Sequence, residues 1–505
     1  MCMEAQVLKV EQPFSESMAA FLKMTERLQK ADTKTMTASQ LESLVVTDGR
    51  EVLRILLQDK IRMSGVGDIG SSLEGHDGIV RTHRRERTVV LKTLLGEIMI
   101  ERMIYGLTGH KGLAPKEFAL NLPDSSYSHG LQKLLTQEAA KGSFDEAIVV
   151  VEQFSGVKIP KRQAEELVQE ASQDFDSFYK AREEQALILP KGSDRLVILT
   201  TDGKGVIMRR DDLREATQKK ADASVHKLQT RLSRGEKKNA KRMAQVAAVY
   251  SIAPFERTAA DVLERNDELK PPRPEGKRVW ASLAAESKAV VKEMFQEALR
   301  RDPTKSRPWC VLIDGQPYQL ELIKAELKRR RIKGTIIVDL IHVIEYLWKA
   351  SRAFHGEATT AGEQWVSHYL AMILDGKAKL VAAAIRRSAT RKNIEDRGHI
   401  DTAANYLHKL APYLRYDRYL EQGMPIATGV IEGACRYLVK DRMDVTGARW
   451  SLKGAEAVLK MRSTHASGDW EEYWERHEAA DLQRNHRSHY ARPEKIIRTK
   501  LKLVK

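Results

Sequence analysis

Three aspartates of this 505-residue chain, Asp202, Asp314 and Asp339, each directly follow a short run of apolar or β-branched residues. Such runs predict buried strands, and the glycine after Asp202 and after Asp314 predicts that each strand ends there in a turn. Open α/β sheets bind ligands at the edge formed by the carboxyl ends of their strands. We therefore expect three carboxylates at one edge of a sheet, although a capping aspartate alone gives the same local pattern.

The elements around these aspartates predict the order of their strands. In chain order, the pattern predicts strands at 195–202, 206–208, 243–252, 309–313 and 335–338, with helices at 281–300 and 317–331. Three antiparallel strands followed by two helix-linked strands form the element order of an RNase H-like mixed sheet, with the fourth strand parallel to the first. Because neighbouring strands are about 4.8 Å apart, Asp202 and Asp314 should converge, with Asp339 about one strand further out.

A late helix supplies a further carboxylate, Glu432, close to its predicted N-cap Thr428. Mg²⁺ prefers oxygen ligands, and clustered carboxylates repel one another unless cations lie between them. We therefore predict two Mg²⁺ ions, replaceable by Mn²⁺, with Asp202, Asp314 and Glu432 as metal ligands and catalytic residues. Two such ions activate a nucleophile and stabilise the leaving oxygen of a phosphodiester.

The composition favours a polyanionic partner. The net charge is +16 and the sequence pI is about 9.5, which favours nucleic acid first and a membrane surface second. A basic protein without such a partner is the alternative. The three cysteines fit no zinc motif, which predicts a reducing cytoplasm. The sequence contains no signal pattern and no apolar run of membrane-spanning length.

The first part of the chain predicts a mainly helical region that also holds a hairpin. We expect a helical arm at 1–65, followed by a glycine-rich linker and then a β-hairpin at 80–106 that is flanked by arginines. The arm could be either a segment that packs within the protein or an interaction segment. The basic hairpin suits either phosphate contact or a solvated edge.

Residues 128–178 predict three short helices in the order of a helix-turn-helix. Ser143 and Glu146 form a capping-box pattern, Gly156 predicts the turn, and Pro160 precedes the last helix. In helix-turn-helix proteins this last helix enters the major groove. A trihelical packing module would give a similar pattern. The DNA-binding candidates on the last helix are Lys161, Arg162 and Gln163.

The rest of the chain divides into a catalytic core and its additions. We expect a first part of the core at 194–345, an all-helical insertion at 346–422, a last part with C-terminal helices at 423–483, and a basic tail at 484–505. Basic residues in and after the core add to the DNA-binding candidates. These are Lys237, Lys238, Lys241, Arg242, Lys440, Arg442 and Arg449.

Residues 80–480 resemble the DDE transposases of bacterial insertion sequences, particularly the ISKra type. The motifs that carry the resemblance are Thr201-Asp202-Gly203-Lys204, Ile313-Asp314-Gly315, Asp339-Leu340-Ile341-His342, Gly429-Val430-Ile431-Glu432-Gly433 and Lys440-Asp441-Arg442. The resemblance implies a triad of Asp202, Asp314 and Glu432 that coordinates two Mg²⁺ ions. It implies that water and then the transposon 3′-OH attacks a DNA phosphodiester.

The resemblance also implies partners and a supporting pair of residues. The partners are double-stranded DNA, as transposon ends and target, and further copies of the chain that assemble on paired ends. The implied location is the bacterial cytoplasm, in association with the nucleoid. Asp339 and His342 match the family's Asp/Cys-x-x-His pair, for which a supporting role is expected. An alternative assignment makes Asp339 the second acid instead of Asp314.

Two other functions fit the same sequence. A stand-alone RNase H-like nuclease acting on RNA or structured DNA would need the same acids without strand transfer. A non-catalytic DNA-binding protein would use only the helix-turn-helix.

Overall fold

The computed structural model describes residues 13–31, 34–185, 195–225, 227–228, 230, 232–233, 236, 238–264, 270–445, 447–494 and 496. Their secondary structure is mixed α/β, as the sequence predicts. The chain divides into two compact units, Met1–Asp174 with Glu471–Lys505, and Phe175–Trp470. Within the described residues, no helix is both long and apolar enough to cross a membrane.

The elements are numbered in chain order. The described helices are α1 (Ser15–Lys30), α2 (Ala38–Arg62), α3 (Pro115–Leu120), α4 (His129–Lys141), α5 (Phe144–Ser155), α6 (Lys161–Ala171), α7 (Phe175–Glu183), α8 (Glu215–Asp222), α9 (Ala259–Leu263), α10 (Ser287–Arg301), α11 (Pro317–Arg330), α12 (Leu340–His355), α13 (Thr360–Leu374), α14 (Ala378–Arg391), α15 (Gly398–Leu410), α16 (Tyr416–Glu421), α17 (Gly429–Ala434), α18 (Asp441–Met443), α19 (Leu452–Ala466) and α20 (Trp470–Asp481). The strands are β1 (Leu73–Glu74), β2 (Val80–Arg81), β3 (His83–Thr93), β4 (Gly96–Gly106), β5 (Leu196–Ile207), β6 (Lys241–Ile252), β7 (Glu275–Ser282), β8 (Trp309–Ile313) and β9 (Gly334–Val338). A π-helical segment, Cys435–Lys440, lies between α17 and α18.

The predicted local elements of the first unit are present. Helices α1 and α2 occupy the described part of the predicted arm, and β3 pairs with β4 as an antiparallel hairpin. The capping box of α5 forms as predicted, because Ser143 Oγ accepts from Glu146 N at 3.1 Å and Glu146 returns the bond to Ser143 N at 2.7 Å. Gly156 ends α5 in the left-handed conformation, φ 74°.

Buried hydrogen bonds hold the end of the chain within the first unit. His477 Nδ1 lies 2.7 Å from Asp174 Oδ2, and His129 Nε2 lies 3.0 Å from Asp481 Oδ2. Arg484 bonds to Asp174 at 3.1 Å. Helix α20 from Glu471 onward and the beginning of the predicted basic tail therefore belong to the first unit.

One five-stranded mixed sheet organises the second unit, with the strand order β7-β6-β5-β8-β9. Strands β5, β6 and β7 are antiparallel neighbours, whereas β8 runs parallel to both β5 and β9. The residues of β8 are fully buried, as the continuous apolar run predicts. Helices α12 to α16 fill the region predicted as an all-helical insertion.

Two predicted details of the sheet are wrong. The chain does not turn at Gly203 and Gly205, because β6 is long enough to pair with β5 from Leu196 to Ile207 and both glycines stay extended. Residues 206–208 therefore continue the first strand instead of forming a second one. The third strand of the meander is β7, which follows a proline-rich loop and lacks a long apolar run.

A buried group of charges connects α10 to β7. The carboxylate of Glu297, 1% exposed, accepts from Arg301 Nε at 2.8 Å and from Arg300 Nε at 3.0 Å. Arg278, 3% exposed, lies 3.5 Å from the same carboxylate and stacks on Tyr179 at 3.9 Å. Burial opposes ionisation of Glu297, but the charges of Arg301 and Arg278 prevail and lower its pKa from 4.5 to about 2.

We predict that Glu297→Gln destabilises the second unit by about 3–5 kcal/mol at pH 7, because it leaves buried guanidinium groups without their counter-ion. Because the pKa of Glu297 is depressed in the fold, its stabilising effect is complete above about pH 5 and is lost as the pH falls toward 2. The difference in unfolding free energy between wild type and variant should therefore shrink over that interval in denaturant titrations. The exposed Glu321→Gln on α11 is the control, and an equal pH dependence in both variants would contradict the assignment.

Candidate functional site

The parallel registers place Asp202, Asp314 and Asp339 at one level across β5, β8 and β9. The last parallel pair of β5 and β8 is Thr200 with Leu312, so Asp202 and Asp314 each lie two residues beyond it. The last pair of β8 and β9 is one residue before Asp314 and Asp339. The register thus confirms that these carboxylates belong to one edge, although β5 itself continues past Asp202.

Asp339 is a fully buried residue that begins α12. Its backbone N–H donates to Ile313 O at 2.8 Å, which extends the pairing of β9 with β8. Its side chain caps the helix by accepting from Ile341 N at 3.0 Å. The same carboxylate accepts from Thr428 N at 3.3 Å and from the Thr428 hydroxyl. Thr428 precedes α17 as predicted, but its side chain bonds to Asp339 instead of capping its own helix.

His342 lies one turn into α12, with Nδ1 3.2 Å from Asp339 Oδ2. The hydrogen bond to Asp339 raises the pKa of His342 to about 9 against the opposing effect of burial, and the charges of Asp339 and Asp314 add to the increase. The imidazole is therefore a cation at neutral pH.

Glu432 projects from α17 toward Asp339 and His342. One ligand atom of each of these three residues lies within 4.8 Å of the other two. Burial raises the pKa of Glu432, and the negative charges of Asp339 and Asp202 raise it further, whereas His342 lowers it. The pKa of Glu432 therefore depends both on Asp339 with His342 and on Asp202.

Asp202 contacts the segment that follows α17. Its Oδ1 accepts from Gly203 N at 2.6 Å, and its Oδ2 accepts from the thiol of Cys435 at 3.3 Å. Burial and the charge of Asp202 raise the pKa of that thiol. Cys435 is the first residue of the π-helical segment, and such segments are frequent at functional sites.

Asp314 is held by its backbone more than by its side chain. Its Oδ1 accepts from Gln316 N at 2.8 Å, and the hydroxyl of Tyr406 on α15 donates to its carbonyl oxygen at 2.8 Å. Burial raises the pKa of Tyr406, and nearby negative charge adds to this. The turn depends on Gly315, which has φ +86° and whose Cβ would lie 2.5 Å from Leu410 Cδ1.

The predicted triad is therefore divided between two neighbouring groups. Among the described residues, the three-residue group with metal-binding spacing is Asp339, His342 and Glu432, and neither Asp202 nor Asp314 belongs to it. Two carboxylates with converging oxygens and a raised Glu432 pKa fit a hard divalent cation, since such a cation would relieve their repulsion. His342 fits as a ligand only after it loses its proton.

The predicted DNA-binding residues differ in exposure. Lys161 and Arg162 are exposed and bound to acids, at 2.6 Å to Asp145 and 3.1 Å to Glu166. Gln163 is half-buried. The remaining exposed candidates are Lys238, Lys241, Lys440 and Arg449. Lys237 lies outside the described residues.

Two of the predicted DNA-binding residues make contacts within the chain. Arg442 is 3% exposed, and its guanidinium lies over the ring of Trp450, 4.7 Å from the centroid. Arg242 donates to Leu283 O at 2.8 Å and to Asp212 O at 3.1 Å.

Sequence reasoning did not identify Cys435 or Tyr406 as parts of the site. Cys435 follows Glu432 by three residues, so the helical period gave a signal that it shares the same side. Tyr406 is 92 residues from Asp314, and no local pattern connects them. Comparison of the chain with models of protein families and with curated proteins finds no match.

We predict that Gly315→Ala destabilises the second unit by about 2–4 kcal/mol, because the added Cβ would strain the left-handed backbone and clash with Leu410. Chemical denaturation measures the loss. Gly398→Ala, at the first position of α15 with ordinary contacts at 3.5 Å, is the matched control and should be neutral or slightly stabilising. Equal stability of the two variants would contradict the geometry of the Asp314 turn.

We further predict that Mn²⁺ binds the Asp339, His342 and Glu432 group. Glu432→Gln should weaken binding by about tenfold or more because it removes a charged ligand. Titration of free Mn²⁺ by electron paramagnetic resonance measures the affinity. Glu345→Gln, an exposed acid on α12 outside the group, is the charge-matched control. Similar losses in both variants would show that only diffuse charge attracts the cation.

Proposed function

We propose that the chain is a DNA transposase that cleaves DNA ends and transfers strands through Asp202, Asp314 and Glu432. The observation that carries the proposal is the register of the sheet, in which Asp202 and Asp314 stand at the same level on adjacent parallel strands. Helix α17 brings Glu432 within the electrostatic influence of Asp202. Three acids at one edge of a strongly basic chain suit a reaction on a polyanion.

The strand order supports an RNase H-like core as the finer description of the fold. Three antiparallel strands, β5 to β7, are followed by β8 and β9 on the opposite side of β5, with helices α10 and α11 as connections. We propose this assignment for β5 to β9 with α12 to α16 as the helical insertion. Under it, the acids occupy the edge where open sheets place their ligands.

The carboxylates of Asp202, Asp314 and Glu432 would hold Mg²⁺ or Mn²⁺. Such an ion lowers the pKa of a bound water and stabilises charge on a reacting phosphate. The chain's own contribution is to fix these oxygens. Asp202 is oriented by Gly203 N and Asp314 by Gln316 N.

Asp314 and Asp339 remain the two candidates for the second acid, and their surroundings favour Asp314. The Asp339 carboxylate already accepts from two backbone N–H groups, one hydroxyl and His342 in a fully buried position. Such a carboxylate suits a positioning role. Asp314 is half-buried and directly adjacent to Asp202 in register.

The test is Mg²⁺-dependent cleavage of duplex DNA taken from the two flanks of the coding region, followed by joining of a labelled 3′-OH end to a plasmid. We predict that Asp202→Asn and Asp314→Asn each lower both steps by about 10³-fold. Circular dichroism and thermal unfolding would verify that the variants remain folded. Persistence of cleavage in either variant would exclude the assigned triad.

Comparison with Asp339→Asn separates the two assignments of the second acid. If Asp339 positions α12 and α17, this variant should lower thermal stability as well as activity, whereas Asp314→Asn should lower activity alone. Cleavage without joining in the wild type would favour the stand-alone nuclease. DNA binding with no cleavage in any protein would favour the non-catalytic helix-turn-helix protein.

A further inference from the structure

Helices α1 and α2 form an antiparallel hairpin that is attached to the first unit by one side of α2. Ser17 N donates to Asp59 Oδ2 at 3.0 Å and fixes the start of α1 beside the end of α2. Gln58 Nε2 of α2 donates to Met99 O of β4 at 2.6 Å. The side of the hairpin opposite β4 is therefore free of the strand layer.

That opposite side is apolar, and we name it the hairpin face. Its eight large apolar side chains are 42–59% exposed: Met18, Phe21, Leu22, Val45, Val46, Leu53, Leu56 and Met63. At 100° per residue, the four on α2 and Met63, which directly follows it, fall within one 100° arc, and the three on α1 fall within another. The antiparallel pairing turns both arcs to the same side of the hairpin.

The exposed area matches what a stable protein interface requires. From their exposed fractions, the eight side chains present roughly 700 Å² of apolar surface, above the few hundred Å² common on monomers. A stable complex buries roughly 800 Å² on each partner. The hairpin face is therefore large enough for an interface between folded proteins.

The spacing along α2 indicates which kind of partner fits. Positions in the arc recur in alternating steps of four and three, which is the a/d spacing of a coiled coil. They are Glu42, Val46, Gly49, Leu53, Leu56, Lys60 and Met63. The pattern predicts another helix lying along α2.

Gly49 is the position that the chain's own fold does not explain. A Cβ at this position would meet nothing within 4 Å, so no neighbour within the chain requires a glycine in the middle of a 25-residue helix. Glycine weakens a helix interior relative to alanine. A glycine in an exposed seam admits a large side chain from a second helix.

A two-fold axis at the level of residue 51 of α2 pairs six of these seven positions with one another, all except Met63. Such an axis places residue i opposite residue 102 − i of the second copy. Gly49 then faces Leu53, since 49 + 53 = 102. Val46 faces Leu56 in the same way.

The same axis also pairs the two charges of the seam. Glu42 near the start of α2 faces Lys60 near its end, since 42 + 60 = 102, and both are exposed. The pairing occurs twice because the interface is isologous. A parallel arrangement would instead bring like charges together.

We infer that the chain forms a two-fold homodimer through the hairpin face, with α2 antiparallel to α2 of a second copy. The apolar seam supplies the association, Gly49 receives Leu53 of the second copy, and the Glu42–Lys60 pairs set the direction. This dimer rests on the first unit alone and is independent of the catalytic assignment.

Sedimentation equilibrium of the full chain over a range of concentrations tests the inference. Wild type should be a dimer, and Glu42→Lys or Lys60→Glu should each weaken association by about tenfold or more. The double variant should recover it. An equimolar mixture of the two single variants should associate more tightly than either one alone, because all its pairs are of opposite charge.

Leu53→Glu should give a monomer, and circular dichroism with thermal unfolding should show that it remains folded. Leu380→Glu on α14, where the native side chain is 59% exposed, is the matched control and should leave the dimer intact. A wild type that remains monomeric, as a different occupant of the hairpin face would give, overturns the inference. Dimerisation that survives Leu53→Glu, or charge variants that have no effect, would also overturn it.

Discussion

Burial of the Asp339 carboxylate is the constraint on which the site depends. An ionised carboxylate with no exposure costs several kcal/mol unless hydrogen bonds and charge compensate it. The compensating donors come from Ile341, His342 and Thr428, which belong to the start of α12 and to the segment before α17. Satisfying this one group therefore fixes both helices against the end of β9. Glu432 lies one turn after Thr428, so the hydrogen bonds from Thr428 to Asp339 also position Glu432.

The parallel pairing of β5, β8 and β9 is the second constraint, and it acts through backbone geometry alone. Strands β8 and β9 end at the same edge, β5 continues past it, and the register decides which residues stand level. Because the paired residues are Thr200 with Leu312, the two aspartates that follow become neighbours although 112 positions separate them. Strands β6 and β7 and helix α10 lie within that interval, and α11 connects β8 to β9.

Much of the fold was predictable because its signals are local. The capping box at Ser143, the apolar run of β8 and the acids that follow β8 and β9 depend on neighbours within a few residues. Gly203 was misleading because glycine permits both a turn and an extended strand, and only the length of β6 decides between them. The Cys435 thiol at Asp202 and the Tyr406 hydroxyl at Asp314 arise from tertiary packing, which no local pattern encodes.

Exposure, and not the count of basic residues, decides which of them can meet a phosphate. The net charge of +16 includes guanidinium groups that make contacts within the chain. Arg442 stacks on Trp450, and Arg242 donates to two carbonyl oxygens. Arginine suits these positions because its planar group stacks and its five donors satisfy several acceptors. Lys440, two residues before the buried Arg442, stays exposed.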